Sequence, residues 1–147
     1  MALQEEWTPE KFLEEKVKPH YAELKQQFDS GKLDQVWFEK QYRDKVKLRD
    51  RSRGHDHKGP KEIHEFWKEK RANNTGDIGF DFKLENVRVF PVAVRSPHPH
   101  GSNDVVEIGV FLAGYQIGNA VADPPFDGLW LHWEDCSWQP ESEDLGR

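Results

Sequence analysis

The chain has 147 residues, which suits one domain, and 33% of them are charged, with a formal net charge of −6. Six Trp and nine Phe favour a folded globule over a disordered chain, because disordered chains are poor in aromatic residues. An acidic chain without an apolar stretch of the ~20 residues that a membrane helix needs is expected to bind neither nucleic acid nor a membrane.

The single cysteine, Cys136, cannot form an internal disulfide, and the N-terminus lacks a basic region followed by an apolar run. We therefore expect a cytoplasmic protein. One domain should span residues 1–147, with a core from about residue 9 to residue 139 and short tails at both ends.

The first predicted element is a helix. Thr8 suits its N-cap and Pro9 its first position, and apolar residues then recur at spacings of three and four as far as Phe28. Pro19 interrupts this pattern and should kink or break the helix, because it cannot donate a backbone hydrogen bond. Gly31 is expected soon after the helix end.

Two more helices and one strand are predicted before the middle of the chain. Residues 33–42 form the shorter helix, and Gly59-Pro60 opens a longer one that ends near residues 73–74. Between these helices, residues 45–51 alternate apolar and charged side chains, as an edge strand does. The segment from there to Gly59 is predicted to be a loop.

The second half of the chain is predicted to consist of strands. Residues 80–89 alternate, with a change of parity at Glu85-Asn86 that indicates a β-bulge. Further strands are expected at 104–115, at 129–133 and from about residue 137. Helices first and antiparallel strands second indicate an α+β fold, in which three N-terminal helices pack on a strongly curved, mostly antiparallel sheet and enclose a cavity.

Four short motifs, taken in order, resemble the nuclear-transport-factor-two-like superfamily, and within it the SnoaL-like and ketosteroid-isomerase-like branch. They are residues 29–34 (DSGKLD), 58–67 (KGPKEIHEFW), 106–111 (VEIGVF) and 129–138 (LWLHWEDCSW). The resemblance implies a cone of three helices and a bent sheet, usually dimeric, with a pocket inside the cone. Its members include isomerases, cyclases, dehydratases and binding modules, so the fold alone does not give the function.

The resemblance implies a catalytic carboxylate nine residues before the glycine that opens the third helix. Here that residue is Asp50, nine before Gly59. Asp50 could act as a general base at the pocket. The alternative is an aspartate that is exposed or paired with its neighbours Arg49 and Arg51, although a regular strand would point these arginines to the other face.

The hydrogen-bond donors that the isomerases use for the developing oxyanion do not match this sequence. Their positions correspond to Leu24 and Leu129, which cannot donate, and a further pocket tyrosine corresponds to Trp67. Tyr21 lies one turn from Leu24 and could replace it only if the helix were shifted. Because one such donor contributes ~3–4 kcal/mol in other enzymes, steroid isomerisation is not expected.

Two His-X-His pairs, at residues 55–57 and 98–100, lie in predicted loops. Closely spaced histidines can bind metals when a carboxylate is available, but loop histidines near Gly and Pro are usually solvated. We expect no metal site, and we expect His57 to donate or accept hydrogen bonds at the pocket rim.

Strand alternation places Leu129, Leu131 and Trp133 on one face of the sheet, and Trp130 and His132 on the other. Bulky residues on both faces suggest that one face meets the helices and the outer face meets a second subunit, as in a homodimer. The tryptophans could instead stack on a flat ligand.

Glu107 lies within an apolar strand, where a carboxylate is either on a wet face or in a buried polar network. If it faced the cone, it would be a second acid/base candidate beside Asp50. GxGxxG, P-loop and GxSxG motifs are absent, and we expect no cofactor.

The sequence therefore predicts a protein with a small-molecule pocket. It is either a cofactor-free isomerase, cyclase or dehydratase that acts on a small apolar compound with Asp50 as base, or a non-enzymatic ligand-binding or dimerisation module whose cone is filled by aromatic residues. The residues expected to line the pocket besides Asp50 are Tyr21, Leu24, His57, Phe66, Trp67, Glu107, Leu129 and Leu131.

Overall fold

A computed structural model describes residues 7–51, 54–73, 76–91, 105–118, 125–133 and 138–145. The helices are α1 (Pro9–Phe12), α2 (Lys18–Ser30), α3 (Gln35–Gln41) and α4 (Gly59–Asn73). The strands are β1 (Lys47–Asp50), β2 (His55–Lys58), β3 (Ile78–Pro91), β4 (Val105–Ile117), β5 (Phe126–Trp133) and β6 (Trp138–Leu145). Across these ranges, no helix is long and apolar enough to cross a membrane. The predicted histidine pair at 98–100 and Cys136 lie outside the described residues.

The first helix begins as predicted, because the Thr8 side chain accepts a hydrogen bond from the backbone N–H of Lys11 at 3.1 Å. Of the two outcomes predicted at Pro19, a kink or a break, the break into two separate helices is wrong. A π-helical turn, Leu13–Val17, instead joins α1 to α2 in one helical segment. This wider turn spans the carbonyl that the proline ring would crowd in a regular helix. The segment ends at Gly31, whose φ of 76° is left-handed.

The six strands form one sheet in the order β2-β1-β6-β5-β4-β3. All neighbours are antiparallel except β1 and β6, which are parallel. The predicted register change is confirmed between Phe82 and Val87 on β3. The helical segment α1–α2, together with α3 and α4, covers the inner face of this curved, open sheet, so the predicted α+β cone-like fold is confirmed.

Two predictions about the sheet edge are wrong. Residues 55–58 form strand β2 rather than a loop, because Gly54 takes a left-handed φ of 68° and lets the chain turn back so that His55 pairs with Asp50. The strand β1 is consequently not an edge strand, since it pairs with both β2 and β6. At the other end of the chain, β6 continues to Leu145, past the expected end of the core at residue 139.

Aromatic side chains fill the space between the helices and the sheet. Tyr21 lies at the centre, with ring centroids 5.2–5.6 Å from Phe80, Phe111 and Phe126. Trp67 is fully buried and packs against Phe28 and Phe80 on the side of α4. Most of the cone is therefore packed core, and open space is left near its rim.

Candidate functional site

A cavity of about 270 Å³ opens between helix α4 and the β1–β2 hairpin. Six of the seven lining residues are polar or charged, and the seventh is a phenylalanine, although slightly more than half of the cavity surface is apolar. The lining residues are Asp50, His55, His57, Phe66, Glu69, Lys70 and Asn73.

One wall of the cavity is a single face of α4. Phe66, Glu69, Lys70 and Asn73 occupy positions i, i+3, i+4 and i+7 of the helix, which puts them side by side on one face. The Lys70 ammonium nitrogen lies 5.5 Å from the centroid of the Phe66 ring. The His57 ring approaches Phe66 from the hairpin, with centroids 4.8 Å apart.

Asp50 forms part of the opposite wall and is only 2% exposed. Strand β1 alternates exposed and buried residues, so Asp50 points to the same side as the buried Leu48. Arg49 and Arg51 point away and lie 4.0 and 3.6 Å from a carboxylate oxygen of Asp144. The cation beside Asp50 is instead Lys70, whose Nζ lies 3.9 Å from Asp50 Oδ2.

Tyr115 on β4 is a buried residue whose phenol pKa is affected by the charge of Asp50. Burial raises the pKa of its phenol, and the negative charge of Asp50 raises it further. The Tyr115 hydroxyl has no hydrogen-bond partner among the described residues. Sequence reasoning missed this residue, although the alternation of β4 that buries Phe111 and Ala113 also turns Tyr115 inward.

Only some of the predicted pocket residues line the cavity. Asp50, His57 and Phe66 line the cavity. Trp67 and Leu24 are completely buried core residues, and neither is among the residues described as lining the cavity.

Tyr21 belongs to a buried polar network rather than to the Asp50 cavity. Its hydroxyl donates a hydrogen bond to Glu143, and the hydroxyl of Tyr42 donates to the same carboxylate oxygen at 3.0 Å. His20 Nε2 lies 3.1 Å from the Tyr42 hydroxyl. Sequence reasoning missed Glu143, because it lies in a polar segment that shows no strand-like alternation.

Tyr21 also lines a second, more open depression of about 330 Å³ between α2 and β3. The two lysines at this depression are tied to neighbours on their own helix. Lys18 pairs with Glu14 at 2.7 Å, and Lys25 pairs with Asp29 at the same distance. The Asp50 cavity is the better candidate site, because a buried carboxylate forms part of its wall.

The remaining predicted residues lie elsewhere on the sheet. Glu107 faces the helices, and its Oε1 lies 2.9 Å from Nδ1 of its cross-strand neighbour His132, so it is part of a polar pair. The His132 ring in turn stacks on Trp138 with centroids 5.0 Å apart. Leu129 and Leu131 alternate with the buried Trp130 and therefore lie on the outer face of the sheet.

The described part of the chain contains no group of three His, Cys, Asp or Glu side chains placed to hold a metal ion. His55 and His57 line the cavity from successive inward positions of β2, opposite Asp50 and Leu48. Their imidazoles supply hydrogen-bonding groups at the cavity wall.

No protein-family model matches the chain, and no curated protein does. Solved structures do match. A protein from Novosphingobium aromaticivorans, described as a candidate aromatic ring hydroxylase, superposes with a TM-score of 0.58 at 12% identity, over 88% of this chain and 85% of its own. An NTF2-like protein of unknown function from Pseudomonas putida gives 0.55 at 15% identity, over 90% and 84%.

The chain has the fold of the NTF2-like superfamily. A domain of unknown function with a cystatin-like fold from Nostoc punctiforme also matches, with a TM-score of 0.57 at 14% identity over 89% of this chain and 74% of its own. At these identities the similarity shows the NTF2-like fold, and the function has to be argued from the site.

Proposed function

We propose that the protein binds a small molecule in the cavity beside Asp50 and that Asp50 removes a proton from it in a reaction without a cofactor. The observation that supports this most strongly is a carboxylate that is 2% exposed yet forms part of the wall of a cavity of about 270 Å³. A carboxylate in such a position is a suitable general base, because a bound molecule shields it from water.

The size and lining of the cavity indicate the kind of ligand. Its volume of about 270 Å³ lies just below the usual range of pockets for drug-sized ligands. Phe66 and the carbon atoms of the other side chains make slightly more than half of the cavity surface apolar, and polar and charged atoms make up the rest. The ligand is therefore a small compound with one apolar part and one polar group, rather than a wholly apolar molecule.

A carbonyl compound with a C–H bond next to its carbonyl group meets these requirements. Asp50 accepts the proton from that carbon, and the C–H electron pair forms the double bond of an enolate, whose negative charge lies on oxygen. Asp50 then returns the proton to the oxygen or, where the compound carries a β,γ double bond, to the γ-carbon, which completes an isomerisation. In a dehydratase the proton goes instead to a β-hydroxyl group, which leaves as water while a double bond forms between the α- and β-carbons. In a cyclase the enolate carbon attacks a second carbonyl carbon of the same molecule, and the proton goes to the oxygen of that carbonyl group.

Deuterium exchange tests this proposal without knowledge of the natural substrate. Phenylacetone in D2O, followed by proton NMR, should lose its CH2 signal faster with the protein than without it. The Asp50→Asn variant should lose most of this acceleration, because positioned acid–base catalysis contributes roughly 10²–10⁴-fold.

Asp56→Asn is the matched control, since Asp56 lies on the same hairpin but is exposed. It should exchange the probe like the unmodified protein. Equal rates for the Asp50 and Asp56 variants would contradict a role for Asp50 in proton transfer.

A second candidate function is ligand binding without chemistry. It is favoured by the aromatic filling of the cone, where Tyr21 and Trp67 occupy the space that a larger substrate would need. In that case phenylacetone or a related carbonyl compound should shift the NMR signals of cavity residues, while no exchange above the background is detected.

We further propose that the protein forms a homodimer through the outer face of the sheet. Apolar residues form cross-strand rows there, with Phe90, Ile108 and Leu131 in one row and Val110 and Leu129 in the next. Phe90 is 50% exposed. A two-fold axis would let this face bury itself against its copy.

Light scattering coupled to size-exclusion chromatography tests the homodimer. A dimer is expected for the unmodified protein, and a monomer for Val110→Lys, because a charge would be buried in the apolar face. Gln116→Lys, at the exposed end of the same strand, should remain dimeric. A monomeric unmodified protein would contradict this assembly.

A further inference from the structure

We propose that Lys70 is a second catalytic residue, whose ammonium group holds the oxyanion that forms when Asp50 removes a proton. This inference depends on the proposed function of Asp50. It gives a role to a residue on α4 that the sequence comparison with isomerases does not indicate, and it supplies a hydrogen-bond donor for the oxyanion, which Leu24 and Leu129 cannot provide.

The geometry of Lys70 and Asp50 suits an enolate. The two groups lie 3.9 Å apart, and both line the same cavity. In an enolate, the oxygen and the carbon that lost the proton are separated by only one further carbon. A base and an oxyanion donor that act on the same enolate therefore have to lie within a few ångströms of each other, each at contact distance from its own atom.

The surroundings of Lys70 favour a strong interaction with an oxyanion. Its side chain is only 22% exposed, so its charge is screened less than that of a surface lysine. The Phe66 ring, 5.5 Å away, offers a flat face that positions the amine. The ammonium carries three N–H donors, which lets it contact Asp50 and a ligand oxygen at the same time.

The other polar groups of the cavity strengthen or weaken the attraction between the cavity lining and an anion. His55 and His57 can donate N–H hydrogen bonds to an anion, and the amide of Asn73 can do the same. Glu69 carries the opposing charge, but it is exposed and therefore well screened by solvent. Lys70 is thus the charged group of this lining that favours an oxyanion.

An oxyanion probe tests the inference independently of turnover. The probe is 4-nitrophenol, whose phenol and phenolate forms differ in absorbance and whose size suits the cavity. It is titrated into the Asp50→Asn variant, in which the negative charge beside Lys70 is absent. We expect this variant to bind the phenolate at least about tenfold more tightly than the double variant Asp50→Asn/Lys70→Gln does.

The matched control is Asp50→Asn/Lys68→Gln, because Lys68 is an exposed lysine two residues away on the same helix. It should bind the phenolate like Asp50→Asn alone. An affinity that changes less than about threefold on Lys70→Gln overturns the inference. Absence of phenolate binding to Asp50→Asn overturns it too, since the amine would then not present its charge to the cavity.

Deuterium exchange separates this inference from the proposed function. In the otherwise unmodified protein, Lys70→Gln should slow exchange of phenylacetone by about 10²–10³-fold, as the loss of one oxyanion donor does. Phenylacetone binding should change much less. If Asp50→Asn abolishes exchange but Lys70→Gln leaves it unchanged, the role of Lys70 is wrong and the role of Asp50 stands. If neither variant alters exchange, the proposed function itself fails.

Discussion

Replacing Glu143 by Gln should change how the stability of the protein depends on pH. Glu143 is completely buried, and burial raises the pKa of its carboxyl from 4.5 to about 7, although hydrogen bonds from Tyr21 and Tyr42 oppose this. Between these two values the folded protein binds a proton that the unfolded chain has lost. Glu143 therefore stabilises the fold at low pH, and this stabilisation is lost as the pH rises through about 7.

The magnitude follows from the difference between the two pKa values. One pKa unit corresponds to 1.36 kcal/mol, so the contribution of Glu143 to the free energy of unfolding falls by about 2–3 kcal/mol between about pH 5 and pH 8. His20 partly hides this change in the unmodified protein. Burial lowers the pKa of its imidazole to about 4, against a weaker opposing effect of the Gln41 hydrogen bond, and stability is therefore lost as the pH falls from 6.5 towards 4.

The assay is urea unfolding, followed by tryptophan fluorescence at several pH values, for the unmodified protein and Glu143→Gln. The difference between their free energies of unfolding cancels the contribution of His20. It should move by about 2–3 kcal/mol in favour of the variant from about pH 5 to pH 8. The exposed Glu65 provides the control, because Glu65→Gln should give a difference that does not vary with pH.

A difference between the unmodified protein and Glu143→Gln that stays constant within about 0.5 kcal/mol across this range would refute the reasoning. It would mean that Glu143 keeps an ordinary carboxyl pKa in the fold. Water would then have to reach its carboxyl group.

Further predictions concern the packing around the same network. Tyr42→Phe should lower the free energy of unfolding by about 1–3 kcal/mol, because Glu143 loses a buried hydrogen bond. Because that hydrogen bond lowers the pKa of Glu143, the pH at which the stabilisation by Glu143 is lost should move upward. An unchanged pH for this loss would contradict the prediction. Gly128→Ala should destabilise the protein by about 1–3 kcal/mol, since the added Cβ would lie 2.2 Å from Cζ of the buried Phe111 ring. Gly79→Ala is its control, because a Cβ there meets nothing within 4 Å; equal stabilities in urea unfolding would refute the packing argument.

Much of the fold could be predicted because its signals are local. The Thr8 cap, the left-handed Gly31 and the start of α4 at Gly59 each depend on a few neighbouring residues. The bulge in β3 was also predicted, since a change in the parity of alternation shows directly in the sequence.

Strand β2 was missed, and the extent of β6 beyond its predicted start near residue 137 was not foreseen, because the side chains of these segments do not alternate in polarity. Strand β2 consists of His55–Lys58 and is held by its pairing with β1 rather than by burial of apolar residues. Strand β6 contains Pro140 and four acidic or hydroxyl side chains, yet it lies inside the sheet between β1 and β5. Pro140 is tolerated next to a register shift between Leu129 and Trp130, where the regular ladder is interrupted.

The candidate site was predicted only in part, because most of its residues are brought together by packing between distant segments. Asp50 could be predicted because the family resemblance implies a carboxylate nine residues before Gly59. Lys70 and Tyr115 come close to Asp50 only through the packing of α4 and β4 around it. No spacing in the sequence encodes such a contact, so the cation beside the carboxylate became visible only in three dimensions.

The most direct test of the whole account is to map where a small carbonyl compound binds. In a titration with phenylacetone, followed by proton–nitrogen NMR, the backbone signals of Asp50, Phe66 and Lys70 should shift together, while those of Glu107 and His132 stay in place. Shifts confined to Glu107 and His132, or no shifts at saturating phenylacetone, would contradict the assignment of the cavity beside Asp50 as the ligand site.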